Sequence, residues 1–428
     1  MQHQWNSARL SGKFGRLAWT GLVILCLMLG SAVVIPISAQ DTAPVAPPQV
    51  GLRPDAPTYA LHGPYWVGTQ SFALEGEDNP QTVRVWYPAL NPDGAAEATT
   101  YVISWAKYQM DSSSEIAGHA LVDAAPDTTA APYPLVVFSH GWGSEDIFYA
   151  WLVEHLASYG FVVVGPDHQE FTDETSSDLV RTTVDRPYAI THTIDYAATL
   201  TAPDGDLAGL IDMERIAVAG QSYGGYTALA AGGARYDMNA YAERCAGLAA
   251  DDPDQFLCVF ANSQAQMAEL AGLDAAPEGL WPSTGDPRVD TIVTIAGDSY
   301  MFGEQGLAEI TMPVLAIGGT LDTSTPYMWG VRPTYDNVAS QQKILVTLTD
   351  AGHFVASSSC ADAPSIVDLG IFFFCSDPVW DMNRAHDLMN HFTTAFLLDI
   401  LMDDADAHAA LAPEAVSFPG ITYEAQGF

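Results

Sequence analysis

The sequence is short of positive charge. Its 428 residues carry 15 lysines and arginines against 52 aspartates and glutamates. Beyond residue 40 the count is 12 against 52, a net of −40, with Lys107 and Lys343 the only lysines. A surface of that sign repels phosphate backbones, which argues against nucleic acid as a partner, and it disfavours docking on anionic membranes. Charged residues are 16% of the chain against 48% hydrophobic. That balance argues against a mostly disordered chain and supplies material for a large core. Cysteine is also scarce, five in all. None sits in a two-residue-spaced pair beside a histidine, so no zinc site is indicated and no metal is expected. No internal repeat is visible.

What is there begins with an apolar run. Arg9, Lys13 and Arg16 precede a stretch from Leu17 to Ile37 that ends in Ser38 and Ala39. A charged region, an apolar region and small residues, in that order, read as a secretory signal over 1–39, cut after Ala39. The other reading is an uncleaved anchor, because the run is about the ~20 residues a spanning helix needs. Only then would the protein be held at a membrane. Leu25 before Cys26 is not the small residue of a lipoprotein signal. Either way the remainder is expected to be secreted or extracytoplasmic. Residues 40–57 are rich in proline and alanine and read as a linker. Residues 58–428 are expected to form one catalytic domain. Outside the signal the cysteines number four, an even count that suggests disulfides in an exported chain, with the sequence neighbours Cys245–Cys258 and Cys360–Cys375 favoured.

Buried strands alternate with helices along this domain. Gln81–Tyr87 alternates Val83, Val85 and Tyr87 with polar residues and reads as an outer strand. Short apolar runs at Leu135–Phe138, Phe161–Val164, Ile216–Ala219, Thr291–Ala296, Val314–Ile317 and Ile344–Leu348 read as buried strands. Helical spacing marks Tyr149–Tyr159, Tyr223–Ala231 and Trp380–Met402, and Arg186-Pro187 reads as a helix start running to about Leu200. The pattern predicts an α/β fold with a doubly wound, mainly parallel sheet. An insertion over about 236–287 interrupts it, as a lid over the sheet's carboxyl edge or as a brace.

The chemistry gathers at strand ends. Gly220-Gln221-Ser222-Tyr223-Gly224-Gly225 lies between a strand and a helix, the setting of a nucleophile elbow, with glycines where side chains would clash and the serine at a helix N-terminus. A serine nucleophile needs a base, and the base an orienting acid. In this architecture they follow in the order Ser, acid, His. His353 follows the Ile344–Leu348 strand and is expected as the base. Asp322 follows Val314–Ile317 and leads as the acid, ahead of Asp298 and Asp350. The oxyanion donors expected are the backbone N–H groups of Tyr223, after the nucleophile, and of Trp142 in His140-Gly141-Trp142-Gly143. The rings of Trp142 and Tyr223 are candidates for an apolar acyl pocket, with ordinary loop packing the other reading, and His140 and His168 for its edge, with a structural role favoured for His168. No cofactor is required by this chemistry.

These segments, from Pro134-Leu-Val-Val-Phe-Ser-His-Gly-Trp-Gly143 through the Arg186-Pro187 helix and Arg215-Ile-Ala-Val-Ala-Gly-Gln-Ser-Tyr-Gly-Gly225 to the Asp322 and His353 loops, resemble bacterial predicted dienelactone hydrolases and platelet-activating-factor acetylhydrolases. More distantly they resemble cutinase-like polyester hydrolases. The resemblance covers roughly residues 50–425. It implies an α/β-hydrolase fold and a serine carboxylic-ester hydrolase acting on small-molecule esters, small acyl esters first. Ser222 stands where true dienelactone hydrolases use cysteine, and Tyr223 departs from the apolar residue usual in cutinase-like enzymes. A thioester, peptide or polyester substrate, or a non-catalytic binding module on the same fold, are the other readings. The sequence leaves the oligomeric state open.

Overall fold

The computed structural model describes residues 55–74, 81–105, 111–168, 170 and 177–428. The predicted signal over 1–39 and the linker as far as residue 54 lie outside them. Among the described residues no helix is long and apolar enough to cross a membrane.

The described strands are β1 (Trp66–Leu74), β2 (Gln81–Ala89), β3 (Thr99–Ser104), β4 (Ser113–Gly118), β5 (Leu121–Val122), β6 (Tyr133–Ser139), β7 (Val162–Pro166), β8 (Ile211–Gln221), β9 (Thr291–Ile295), β10 (Val314–Gly319), β11 (Lys343–Leu348) and β12 (Ile421–Gln426). Ten of them form one sheet in the order β12-β11-β10-β9-β8-β6-β7-β2-β1-β5, and β3 and β4 pair apart. The run from β11 to β7 is parallel, while β12, β2 and β1 add to it antiparallel. Every residue of β6 is buried. Val136 and Phe138 pack on one face of the sheet, Leu135 and Val137 on the other. A strand covered on both faces has no polar side, which is why its sequence is a run and not an alternation.

The helices are α1 (Ala150–Ser158), α2 (Ser177–Thr201), α3 (Tyr223–Ala231), α4 (Met238–Ala246), α5 (Gln264–Leu270), α6 (Gly303–Leu307), α7 (Val331–Asn337), α8 (Pro364–Asp368), α9 (Met382–Met402) and α10 (Ala405–Ala410). Leu152 and Leu156 of α1 and Phe392 and Phe396 of α9 cover the Phe138 face. Ile190 and Ile194 of α2 and Tyr226 and Leu229 of α3 cover the other. Helices on both faces of a mainly parallel sheet are the doubly wound arrangement the pattern predicts. Sheet order reverses at β6: β7 lies on one side of it and β8 on the other. The crevice at the carboxyl ends of these strands is where such sheets hold ligands.

Two expectations are corrected. The β2 strand is not at the edge, because β1 pairs along its whole length. Helix α2 does not start at Arg186-Pro187 but at Ser177, and Pro187 lies inside it. A proline there removes the N–H that would bond the carbonyl of Thr183. That carbonyl is instead taken by two hydroxyls, Tyr226 Oη at 2.6 Å and Tyr236 Oη at 3.0 Å. A buried carbonyl needs a donor, and here the protein supplies it from side chains.

Candidate active site

The loop after β8 turns sharply into α3. Ser222 is its N-cap at φ 57°, ψ −122°, a conformation that costs a non-glycine residue about 1–3 kcal/mol. Its N–H donates to the Ile295 carbonyl at 2.8 Å, which helps hold the turn. The flanking glycines are required by contact. A Cβ on Gly220 would lie 2.3 Å from the Gly224 carbonyl oxygen, and one on Gly224 would lie 1.8 Å from that of Ser139.

The loops after β10 and β11 bring Asp322 and His353 to this turn. His353 Nε2 is 2.9 Å from Ser222 Oγ, and His353 Nδ1 is 2.7 Å from Asp322 Oδ2. A carboxylate only accepts, so Nδ1 carries the proton and Nε2 presents its lone pair to the serine hydroxyl. Asp322 Oδ1 accepts the N–H groups of Ser324 and Thr325, each at 2.8 Å. The Thr325 hydroxyl lies 2.9 Å from Asp322 Oδ2 and 2.7 Å from the Ala296 carbonyl oxygen, and shares one proton between them. Both Asp322 and His353 are buried and Ser222 is half-buried. Burial is the largest influence on His353 and opposes its charged form, but the Asp322 carboxylate, 2.7 Å from Nδ1, outweighs it and holds the ring above its usual 6.5. Neither rival carboxylate bonds His353: Asp350 is exposed at φ 60°, and Asp298 is buried in the wall of a cleft that also holds Ser222.

Ser222 and Trp142 stand together between two hollows. The smaller, about 60 Å³, is walled by Trp105, Phe148, Phe354 and Phe374. The larger, about 300 Å³, is walled by Tyr223, Leu257, Phe260 and Tyr300. The segment over 236–287 supplies part of that larger wall, from the turn Pro253–Cys258 and the residues after it. The Cys245–Cys258 bridge ties that turn to α4, with Cα atoms 5.7 Å apart, and Cys360–Cys375 braces the segment bearing Phe374, at 4.7 Å. A further cavity, about 480 Å³ beside Arg244 and Trp329, contains none of Ser222, Asp322 and His353. Among the described residues no group of His, Cys, Asp and Glu could hold a metal ion.

His140 and His168 are placed behind the 139–143 loop, both buried, and line neither hollow. His140 Nδ1 donates to the Gly141 carbonyl at 2.7 Å, Nε2 accepts the His168 N–H at 3.1 Å, and His168 Nε2 lies 2.9 Å from Ser139 Oγ. They brace the loop from beneath. Tyr223, which lines the larger hollow, has its ring under the Arg186 guanidinium at 4.9 Å.

Four further residues join these loops. Arg186 donates to the carbonyls of His140 at 2.7 Å and Gly141 at 3.3 Å, and pairs with Glu170, which accepts the Gly143 N–H. The Gly141 N–H donates to Tyr149 Oη at 3.3 Å, and that hydroxyl donates to Gln221 Oε1 at 2.8 Å. Gln221 Nε2 lies 3.4 Å from His353 Nε2. Sequence reasoning passes over all four roles. The signal available is Arg186 itself, one of few cations in the chain.

Residues 94–249, from β3 to the end of α4, match the chlorophyllase family. The chain is 25% identical over 223 residues to cutinase est1 of Thermobifida alba, covering 52% of this chain and 54% of that one. It is 32% identical over 111 residues to esterase YjfP of Escherichia coli (strain K12), covering 26% of this chain and 43% of that one. The chain thus spans about half the length of the curated relatives it matches. Among solved structures it resembles a ferulic acid esterase from Streptomyces cinnamoneus, with a TM-score of 0.53 and 20% identity over 84% of this chain and 96% of the other. The fold shared with that enzyme, a large and mostly parallel sheet sandwiched by helices, makes this chain an α/β-hydrolase in architecture.

Proposed function

We propose that the protein is an exported serine hydrolase that cleaves carboxylic esters through an acyl-enzyme. The observation that carries this is the unbroken relay from Ser222 Oγ through both ring nitrogens of His353 to Asp322, 2.9 Å and 2.7 Å. It is the geometry in which one imidazole can take a proton from the nucleophile and return it to a leaving group. Similarity to a cutinase and to esterases supports the class of bond. Resemblance to small-acyl acetylhydrolases fits hollows of modest size beside the serine. The two disulfides support an extracytoplasmic location.

In this mechanism Ser222 Oγ attacks the ester carbonyl while its proton passes to His353 Nε2. Asp322 keeps Nδ1–H aligned and stabilises the imidazolium. The carbonyl oxygen becomes an oxyanion, held by the backbone N–H groups of Trp142 and Tyr223, the latter an unsatisfied donor of the first turn of α3. The tetrahedral adduct collapses, and His353 gives its proton to the departing alcohol. Water then repeats the sequence on the acyl-enzyme and releases the acid.

Ser222→Ala tests the reading. It is expected to abolish turnover of p-nitrophenyl butyrate and labelling by a fluorophosphonate probe, with the thermal transition kept. Turnover surviving in that variant would refute the assignment.

A further inference from the structure

Asp298 lies three residues past the end of β9, 7% exposed, in the wall of the larger hollow that also holds Ser222. It is the one acidic side chain among the described residues lining that hollow. Its neighbours there include Leu257, Phe260 and Tyr300. Among the described residues no hydrogen bond is formed to its carboxyl. The one cation that could form beside it, His353, is already engaged by Asp322 at 2.7 Å. A second carboxylate buried beside Asp322 would be an uncompensated charge, and a carboxyl in that position keeps its proton. Burial, opposed by His353 and reinforced by Asp322, pushes it up to about 8. A protonated carboxyl has one O–H to donate. Ser222, Ser324 and Thr325 also line the hollow, but none of them bonds this carboxyl, which leaves a substrate oxygen as the partner for its O–H.

We propose that Asp298 is a specificity-determining hydrogen-bond donor, and that the preferred substrates are esters carrying a second carbonyl oxygen on the arm that enters the larger hollow, as in oxo-acyl esters and diesters. A carbonyl suits the site better than a hydroxyl, because it accepts the bond and brings no donor of its own. This inference rests on the ester-hydrolase reading above.

The test compares ethyl 4-oxopentanoate with ethyl pentanoate on the full-length enzyme, following acid release between pH 6 and 9. The selectivity is the ratio of kcat/KM for the two esters. Steps that depend on Ser222 and His353 are common to both and cancel in that ratio. The groups facing Asp298 are His353, Asp322, Tyr300 and Tyr241. At pH 7 the wild-type ratio is expected to favour the oxo ester, and Asp298→Leu to lower it about tenfold. As pH rises through the Asp298 transition near 8, the donor becomes an acceptor and the wild-type ratio falls. Asp298→Asn keeps an N–H donor without a charge, so its ratio stays flat. A wild-type ratio near one, a ratio that Asp298→Leu leaves alone, or parallel loss of both esters in that variant overturns the proposal. Should Asp298→Leu fail to fold, the two pH profiles decide: a wild-type ratio that stays flat to pH 9 overturns it. An enzyme inert on both esters overturns the ester-hydrolase reading as well, whereas an active enzyme without the selectivity overturns this inference alone.

Discussion

Arg186 Nε donates to Glu170 Oε1 at 2.8 Å in a pair sealed from water, the two side chains 2% and 1% exposed. The guanidinium also holds the carbonyls of His140 and Gly141, and Glu170 takes the Gly143 N–H. The pair therefore pins the loop on both sides of Trp142, whose amide is a proposed oxyanion donor. Glu170→Gln keeps the shape and removes the charge. It is expected to lower kcat about tenfold with KM little changed, measured well below the thermal transition, because an oxyanion donor acts mainly in the transition state. Arg186→Met removes the buried cation that pairs with Glu170 and should cost about 3–5 kcal/mol of stability by denaturant titration. Arg186→Lys cannot restore the several bonds of a planar fork. An unchanged kcat in Glu170→Gln would remove the pair from the catalytic account.

His353 acts as a base only while neutral. Burial opposes its charged form, but the Asp322 carboxylate outweighs it and raises the ring above 6.5. On the acid side kcat/KM should therefore rise with pH through a midpoint above 6.5. Asp322→Asn removes the chief stabiliser of the imidazolium and the acceptor that fixes the tautomer. It should shift that midpoint downward and lower kcat by about 10⁴-fold. A wild-type midpoint below 6.5 would contradict the placement of the Asp322 carboxylate against Nδ1.

The interior of the sheet was legible because strands buried on both faces must be apolar runs, as β6 to β11 are, and because each functional loop follows such a run. Hence the apolar runs alone mark the strand ends that carry Ser222, Asp322 and His353. The edges were not legible. Residues of β12 alternate only between exposed and half-buried, and β1 carries Gly68, Thr69 and Gln70 amid its apolar residues, so neither forms an apolar run. The start of α2 was misread because Pro187 is a strong local signal for a helix start, and only the tertiary partners of Thr183 reveal why it sits mid-helix. His140 and His168 looked like pocket residues because they follow strand ends. Their inward packing depends on Ser139 and on each other. The Arg186–Glu170 clamp joins residues on separate elements, and nothing in local sequence pairs them.

The Thr183 carbonyl gives a prediction about stability. Tyr226→Phe or Tyr236→Phe alone leaves one hydroxyl on the carbonyl and should cost about 1 kcal/mol. Together they orphan a buried acceptor, and the double variant should lose about 1–3 kcal/mol more than the two singles combined. Pro187→Ala restores a backbone N–H to that carbonyl and should recover part of the loss in the double variant, while doing little for the wild type. Strict additivity in urea unfolding, without rescue by Pro187→Ala, would show that the two hydroxyls do not serve this carbonyl.

The Cys245–Cys258 bridge closes a short loop, 13 residues apart in sequence, for which chain entropy gives about 3 kcal/mol of stabilisation. Its position makes the effect more than global. The bridged turn and the residues after it present Phe256, Leu257, Val259 and Phe260 to the larger hollow. Phe256 and Val259 are 53% and 46% exposed, so they have few packing partners to hold them once the bridge is gone. Replacing both cysteines with serine should raise KM several-fold for p-nitrophenyl octanoate, whose chain reaches this wall. It should leave KM for p-nitrophenyl acetate nearly unchanged, because an acetyl group ends beside Ser222. Mild reductant should reproduce the difference in the wild type. Equal changes for the two esters would mean that the bridge stabilises the domain as a whole and has no particular hold on the wall of the hollow.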